Sequence, residues 1–367
     1  MEDTPAPGYM ERGQLDVLLQ SLAAAGYRCI GPRPRDGAIV YESLETADQL
    51  PRGWRDTQAP GRYRLMQTDS PRQFAWANGP QALKPLLFAP REELWRTRRD
   101  GEEPLAFEAV TLQVERLAVI GVRGCDLAAL ALQDAHFLGG EYPDPAYRAR
   151  REGLFLVAVD CSHPAATCFC ASTGDGPAAR GGDLRLQELE EGFLVSAGSA
   201  AGEAILRSLP IRPATEAEVT EARKQLHKAE RVQQRRLPAG DHAAELRARQ
   251  DHPHWHTVAQ RCLACGNCTS VCPTCFCYSE ADDPALNGTL STHYRVWDSC
   301  FSESHSYIHG IVIRAETRHR YRQWLTHKLG TWPQQYGRSG CVGCGRCISW
   351  CPAGIDLTAE VEALCHG

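Results

Sequence analysis

RCLACGNCTSVCP at residues 261–273 and GCVGCGRCISWCP at residues 340–352 carry one and the same cysteine spacing. Cys262, Cys265, Cys268 and Cys272 run into Pro273; Cys341, Cys344, Cys347 and Cys351 run into Pro352. The pattern C-x2-C-x2-C-x3-C-P is that of two-cluster ferredoxins, in which the fourth cysteine of each run ligates the other run's [4Fe–4S] cluster. Three thiolates at two-residue intervals let one tight loop wrap three corners of a cubane, and Gly266 and Gly345 keep that loop compact. The fourth thiolate, carried past the loop, points to the neighbouring cube. The spacing assigns Cys262, Cys265, Cys268 and Cys351 to one cluster, and Cys341, Cys344, Cys347 and Cys272 to the other. Zinc is the competing reading, but it usually takes two separated CxxC pairs and not a triple with a remote fourth ligand. The chemistry implied is one-electron transfer.

The rest of the composition fits that chemistry. Seventeen cysteines grouped by motif indicate metal binding in a reducing compartment, not a disulfide framework. A net charge of -5 argues against nucleic acid as a partner. The opening MEDTPAPGYMERGQLDVLLQ lacks the basic-then-apolar order of a signal peptide, and no apolar run approaches membrane-spanning length. The expected location is cytoplasmic, with no direct membrane insertion.

At 367 residues the chain has room for two or three domains. Residues 1–212 read as an α/β domain. Residues 14–25 and 126–135 have helical periodicity, and 38–41, 116–122, 154–160 and 193–195 read as strands. Residues 51–79 are turn-rich around Pro60-Gly61, and 174–182 form a Gly/Pro/Ala-rich loop. Residues 213–251, rich in Glu, Arg, Lys and Gln, read as a solvated helical connector broken at Pro238-Ala239-Gly240. Residues 252–367 read as the cluster domain. Sixty-eight residues separate the two cysteine runs, far more than in a compact ferredoxin. With helical periodicity over 311–329, the expectation is an all-helical two-cluster ferredoxin-like domain.

Besides Cys29, four further cysteines lie in the N-terminal domain. Cys125 follows the strand ending at Val122, Cys161 ends the next strand, and Cys168 and Cys170 come just after it. Ligand sites in open α/β sheets lie beyond the carboxyl ends of the strands. If those two strands are parallel neighbours, the four thiols converge there and suffice for a third [4Fe–4S] cluster. The competing reading is a set of buried inert thiols. Cys275, Cys277 and Cys300 are unassigned, although Cys-Phe-Cys recurs at 168–170 and 275–277. Cys29 and Cys365 read as structural or solvent-facing. His252, His254 and His256 read as a polar helix start. Arg314, Arg318, Arg320, Arg322 and Lys328 read as one basic helix face, solvated or lying beside the cubanes. No P-loop or G-x-G-x-x-G stretch indicates a nucleotide site.

The segments GVRGCDL at 121–127, Cys161 with CFC at 168–170, and RCLACGNC running into CPTCFC at 261–277 together resemble a known family. So do WDSC at 297–300, RYRQW at 320–324 before His327-Lys328, and GCVGCGRC at 340–347. The chain is similar to the beta subunit of soluble sulfhydrogenase-type NiFe hydrogenases, with the A subunit of anaerobic sulfite reductase as a near relative. The resemblance implies an iron–sulfur subunit in a cytoplasmic complex. A separate flavin subunit would exchange electrons with NAD(P)H, and a third would carry a NiFe or sirohaem catalytic centre. It leaves open hydrogenase against sulfite reductase, and whether the N-terminal domain itself binds flavin or substrate. No catalytic residue is expected in this chain.

Overall fold

A computed structural model describes residues 7–81, 83–99, 101 and 103–366. Residues 1–6 and 367, the outer ends of the expected domain division, lie outside the described residues, as does that part of the stretch read for a leader.

An eight-stranded sheet forms the N-terminal half. Its four central strands, Arg28–Arg35, Leu117–Val122, Leu154–Val159 and Leu184–Glu188, run parallel. LAVIGV and LFLVAV are continuous apolar runs because both faces of the sheet are covered. Phe155, Val157 and Val159 face the helix Leu15–Ala24, whereas Leu156 and Ala158 face the helix Gly124–Phe137. Antiparallel strands complete the sheet: Ala38–Ser43 at one edge, then Gly192–Ala197, Gly8–Glu11 and Arg212–Pro213 at the other. The α/β reading of this half holds. Arg28–Arg35 has no counterpart in the sequence reading because Pro32 and Pro34 argue against a strand. Its parallel pairing stops at Ile30, so both prolines lie where the strand has a neighbour on one side only. The turn-rich stretch holds a hairpin, Trp54–Ala59 with Arg62–Gln67, turning at Pro60-Gly61.

The C-terminal region is not all-helical. The insertion between the cysteine runs opens with two strands, Tyr278–Pro284 and Leu290–Trp297, and the second pairs with the N-terminal strand Arg91–Arg98. With Ala106–Ala109 they make a four-stranded mixed-origin sheet. The overlooked signal is Asn287-Gly288, a strong hairpin dipeptide, with Gly288 at φ +70°. The expected helix over 311–329 is also shorter. A small hairpin, Tyr307–Ile308 with Ile311–Val312, precedes it, the helix runs Thr317–Leu325, and a wide π-type turn follows at Thr326–Thr331.

The connector residues form two helices, Glu216–Arg231 and His242–Ala248, each started by a side-chain cap from Thr215 or Asp241. The second is not merely solvated: Leu246 is buried with Trp255, Tyr321, Trp324 and Val361 in the core that backs the cysteine loops.

Candidate iron–sulfur centres

The two cysteine loops are built alike. Gly266 at φ +76° starts the short helix Asn267–Ser270, and Gly345 at φ +74° starts Arg346–Ser349. The left-handed turn at each glycine folds the loop back so that its thiols share one concave side. Two residues after the first cysteine of each run the chain is again left-handed, at Ala264 (φ 52°) and Gly343 (φ 61°). There the amides of Ala264 and Gly343 point at sulfur, donating to Cys262 at 3.4 Å and to Cys341 at 3.5 Å. The amide of Ile355 does the same for Cys351 at 3.4 Å. N–H···S bonds of this kind favour thiolate over thiol.

Each fourth cysteine lies near the other run. Cys351 lies close enough to Cys262 and Cys268 to bear on their ionisation, as does Cys265. Cys272 stands in the same relation to Cys341, Cys344 and Cys347. The first group borders an empty space closed by Phe301, Tyr321, Trp324 and Ile355. Among the described residues, no three His, Cys, Asp or Glu side chains crowd closely enough to hold a single metal ion. Tetrahedral zinc, with Zn–S bonds of about 2.3 Å, needs thiolates about 3.8 Å apart. A cubane spreads its four ligands over a larger shell than a single zinc ion does.

Charge around Cys272 points the same way. Lys328, on the π-type turn, is 5% exposed and donates to Thr274 Oγ1 at 2.8 Å and Gly340 O at 3.5 Å. Thr274 Oγ1 lies 3.2 Å from Cys272 Sγ. Burial pushes the lysine down, but the thiols of Cys272, Cys275 and Cys341 outweigh it and hold Lys328 above its ordinary value. A hydrogen bond from Cys275, with the nearby lysine, holds Cys272 well below the ordinary thiol range. A buried cation with no carboxylate partner is costly unless an anionic group stands beside it.

The second loop is also the docking point of the two halves. Phe169 N donates to Gly343 O at 2.8 Å, and Cys168 Sγ points at Cys344 O at 3.7 Å. A Cβ at Gly343 would meet Cys170 backbone at 2.6 Å, and one at Gly345 would meet Thr167 O at 2.5 Å. On the other side of the loop Tyr63 stacks on Trp350 at 5.1 Å, and Gly61 N donates to Ile348 O at 3.0 Å.

The 4Fe-4S dicluster domain family matches residues 261–355, both cysteine loops and the insertion between them. Across 349 residues the chain is 33% identical to sulfhydrogenase 2 subunit beta of Pyrococcus furiosus, covering 93% of each protein. The chain belongs to the sulfhydrogenase beta-subunit family. No solved structure matches it.

In this beta-type subunit the N-terminal cysteines occupy the sheet edge. The strands Leu117–Val122 and Leu154–Val159 are parallel neighbours, so Cys125 and Cys161 emerge side by side. Cys161 and Cys168 lie within electrostatic reach of Cys170, and Cys125 reaches Cys170 and Cys344. Amide side chains point at two of the sulfurs, Asn78 Nδ2 to Cys125 at 3.2 Å and Gln233 Nε2 to Cys170 at 3.5 Å. Burial raises the Cys125 and Cys168 thiols and pushes Cys170 up to about 12.

The five basic residues read as one face separate. Arg320 is buried and bonds the carbonyls of Phe301, Arg314 and Ala315; Lys328 turns inward; Arg318 pairs with Glu316 and Arg322 reaches Gln250 O. His254 contacts Glu360 at 2.6 Å at the start of the helix His254–Ala259, and His256 contacts Arg318 at 2.5 Å. Cys29 and Cys365 are both buried in apolar cores. Among the described residues no helix is long and apolar enough to cross a membrane.

Proposed function

We propose that this chain is the electron-conducting subunit of a hydrogenase complex, holding two [4Fe–4S] clusters. Cys262, Cys265, Cys268 and Cys351 bind one, and Cys341, Cys344, Cys347 and Cys272 bind the other. The observation that supports this reading is that Cys351 borders the same hollow as Cys262, Cys265 and Cys268, while Cys272 lies within electrostatic reach of Cys341, Cys344 and Cys347. Such clusters supply reversible one-electron transfer at potentials set by charge, burial and N–H···S bonding. The chain's own part is to hold the thiolates, exclude water with Phe301, Tyr321 and Trp324, and place the Lys328 cation beside Cys272.

Cys125, Cys161, Cys168 and Cys170 are proposed as a third centre. Support comes from their convergence at one sheet edge, from the two amides aimed at sulfur, and from their closeness to Cys344. Such a centre would stand next to the second cluster. The electrons would pass between a flavin subunit that exchanges with NAD(P)H and a subunit that carries the catalytic centre. Family membership and the lack of any nucleotide-binding motif in this chain support both partners.

The test is anaerobic purification of the complex with metal analysis and redox titration followed by electron paramagnetic resonance. Nickel is expected; sirohaem in its place rejects the hydrogenase reading. Cys265→Ser and Cys351→Ser should abolish one and the same signal, and Cys344→Ser and Cys272→Ser the other. Uncrossed losses would reject the ligand sets. Cys168→Ser should lower iron by about four per chain if the third centre exists.

A further inference from the structure

The insertion that lengthens the gap between the cysteine runs also gathers a set of ligands. Tyr278 pairs with Trp297 at the base of its hairpin, and Asp298 N donates to Cys277 O at 3.0 Å. This closure brings Cys300, just past the second strand, close to Cys277, just before the first, so that each thiol bears on the other's ionisation. Cys275, two residues earlier, lies within electrostatic reach of Cys300 and touches Cys272. Three thiols from two segments thus meet beside Cys272 and within electrostatic reach of Cys268.

A histidine completes the group. His305 lies close enough to the Cys277 thiol for the two to affect each other's ionisation, and its Nδ1 lies 3.2 Å from Asp298 Oδ2. Asp298 is itself fixed by the hydroxyl of Ser279 and by Ser299 N at 2.7 Å. Metal-ligating histidines ordinarily have one ring nitrogen held by a carboxylate, which fixes the tautomer and leaves the other nitrogen for the metal. The Asp298–His305 pair has that form.

A second, independent observation is a buried lysine facing this set from the other half of the chain. Lys84 donates only to the carbonyls of Thr269 and Ser270, at 3.3 and 3.4 Å, and lies 3.9 Å over the Trp297 ring. Among the described residues it has no carboxylate partner, and Cys275, Cys272 and Cys277 are the acidic groups that act on it. Lys328 faces the same thiols. Burial pushes Lys84 down, with Cys275 foremost among the groups that offset it, so an anionic cluster beside Trp297 would stabilise its charged form.

We infer that Cys275, Cys277, Cys300 and His305 bind a further iron–sulfur cluster, with histidine as its one non-thiolate ligand. This rests on the electron-conducting reading and extends it, since the cluster would sit against Cys272. A neutral imidazole in place of a thiolate raises a cluster's potential, as in Rieske centres. Among the described residues no three His, Cys, Asp or Glu side chains are set to hold a single metal ion, so structural zinc is not indicated here.

The test uses the anaerobically purified full-length complex. Cys300→Ser should lower iron by about four per chain while the signals assigned through Cys265→Ser and Cys344→Ser persist. His305→Cys should keep the iron and move one signal to a lower potential, which guards against a variant that merely misfolds. Wild-type iron in Cys300→Ser, an unshifted His305→Cys, or one zinc per chain released by Cys300→Ser would overturn the assignment. Failure of the two main ligand sets would instead appear in the Cys265 and Cys344 variants.

Discussion

Asp126 and Arg346 form an ion pair at 2.8 Å with each side chain 2% exposed. Asp126 follows Cys125 at the sheet edge, and Arg346 lies between Cys344 and Cys347, so the pair joins the two thiol-bearing halves. Arg346 Nε also donates to Gly79 O at 2.9 Å. Breaking a buried pair by removing one partner typically costs about 3–5 kcal/mol, because the remaining charge is stranded. Asp126→Asn should therefore destabilise the full chain by about 3 kcal/mol or more. Asp126→Leu combined with Arg346→Met should recover most of that loss. Anaerobic urea unfolding of the three proteins checks both; equal midpoints for wild type and Asp126→Asn would refute the structural role.

Gly343 and Ala264 occupy equivalent places in the two loops, yet substitution should treat them oppositely. A methyl at Gly343 would meet Cys170 backbone at 2.6 Å, and the backbone there is left-handed. Gly343→Ala should cost more than about 1 kcal/mol and loosen the Phe169–Gly343 bond. Ala264 already bears a left-handed strain worth about 1–2 kcal/mol, and glycine's extra chain entropy offsets about half of it. Ala264→Gly should thus fall within about 1 kcal/mol of neutral. Thermal unfolding midpoints under argon distinguish the two cases.

Lys328 places a positive charge beside Cys272 from a site closed to water. Replacing it with Met keeps the volume and removes the charge, so adding an electron nearby becomes harder. One unit charge a few Å away at an effective dielectric of about 20 corresponds to a shift on the order of 100 mV. Lys328→Met should lower the potential of the signal lost in Cys272→Ser by that order and leave the signal lost in Cys265→Ser nearly fixed. Unchanged midpoints in a redox titration would remove Lys328 as a tuning residue.

What the sequence made legible follows the range of the interactions involved. The cysteine loops could be read because their ligand spacing is local, and the parallel strands because their apolar runs are continuous. The insertion sheet could not, because its partner strand Arg91–Arg98 lies far away along the chain and supplies the pairing that Leu290–Trp297 needs. Only Asn287-Gly288 hinted at it. Lys328 reads as part of an exposed basic face because the helical expectation runs on to 329; the helix ends at Leu325, and Lys328 lies buried on the π-type turn that follows. Cys277, Cys300 and His305 are joined by the closing of that same hairpin, so their meeting could not be read from spacing.

His163 gives the folded chain a pH dependence of its own. Burial, with Arg55, Arg72, Arg123 and Lys228 nearby, pushes it down to about 4. Its Nε2 lies 2.5 Å from Arg55 Nη2 and its Nδ1 2.9 Å from Ser162 Oγ, an arrangement suited to the neutral ring. In the unfolded chain it takes up a proton near its ordinary value of about 6.5. Between those two values the unfolded state binds more protons, so stability falls as pH is lowered from about 6.5 towards 4. His163→Gln keeps hydrogen-bonding capacity and removes the titration. Its unfolding midpoint should therefore fall less steeply than wild type between pH 7 and pH 5, and parallel curves would show that His163 contributes nothing to the acid sensitivity.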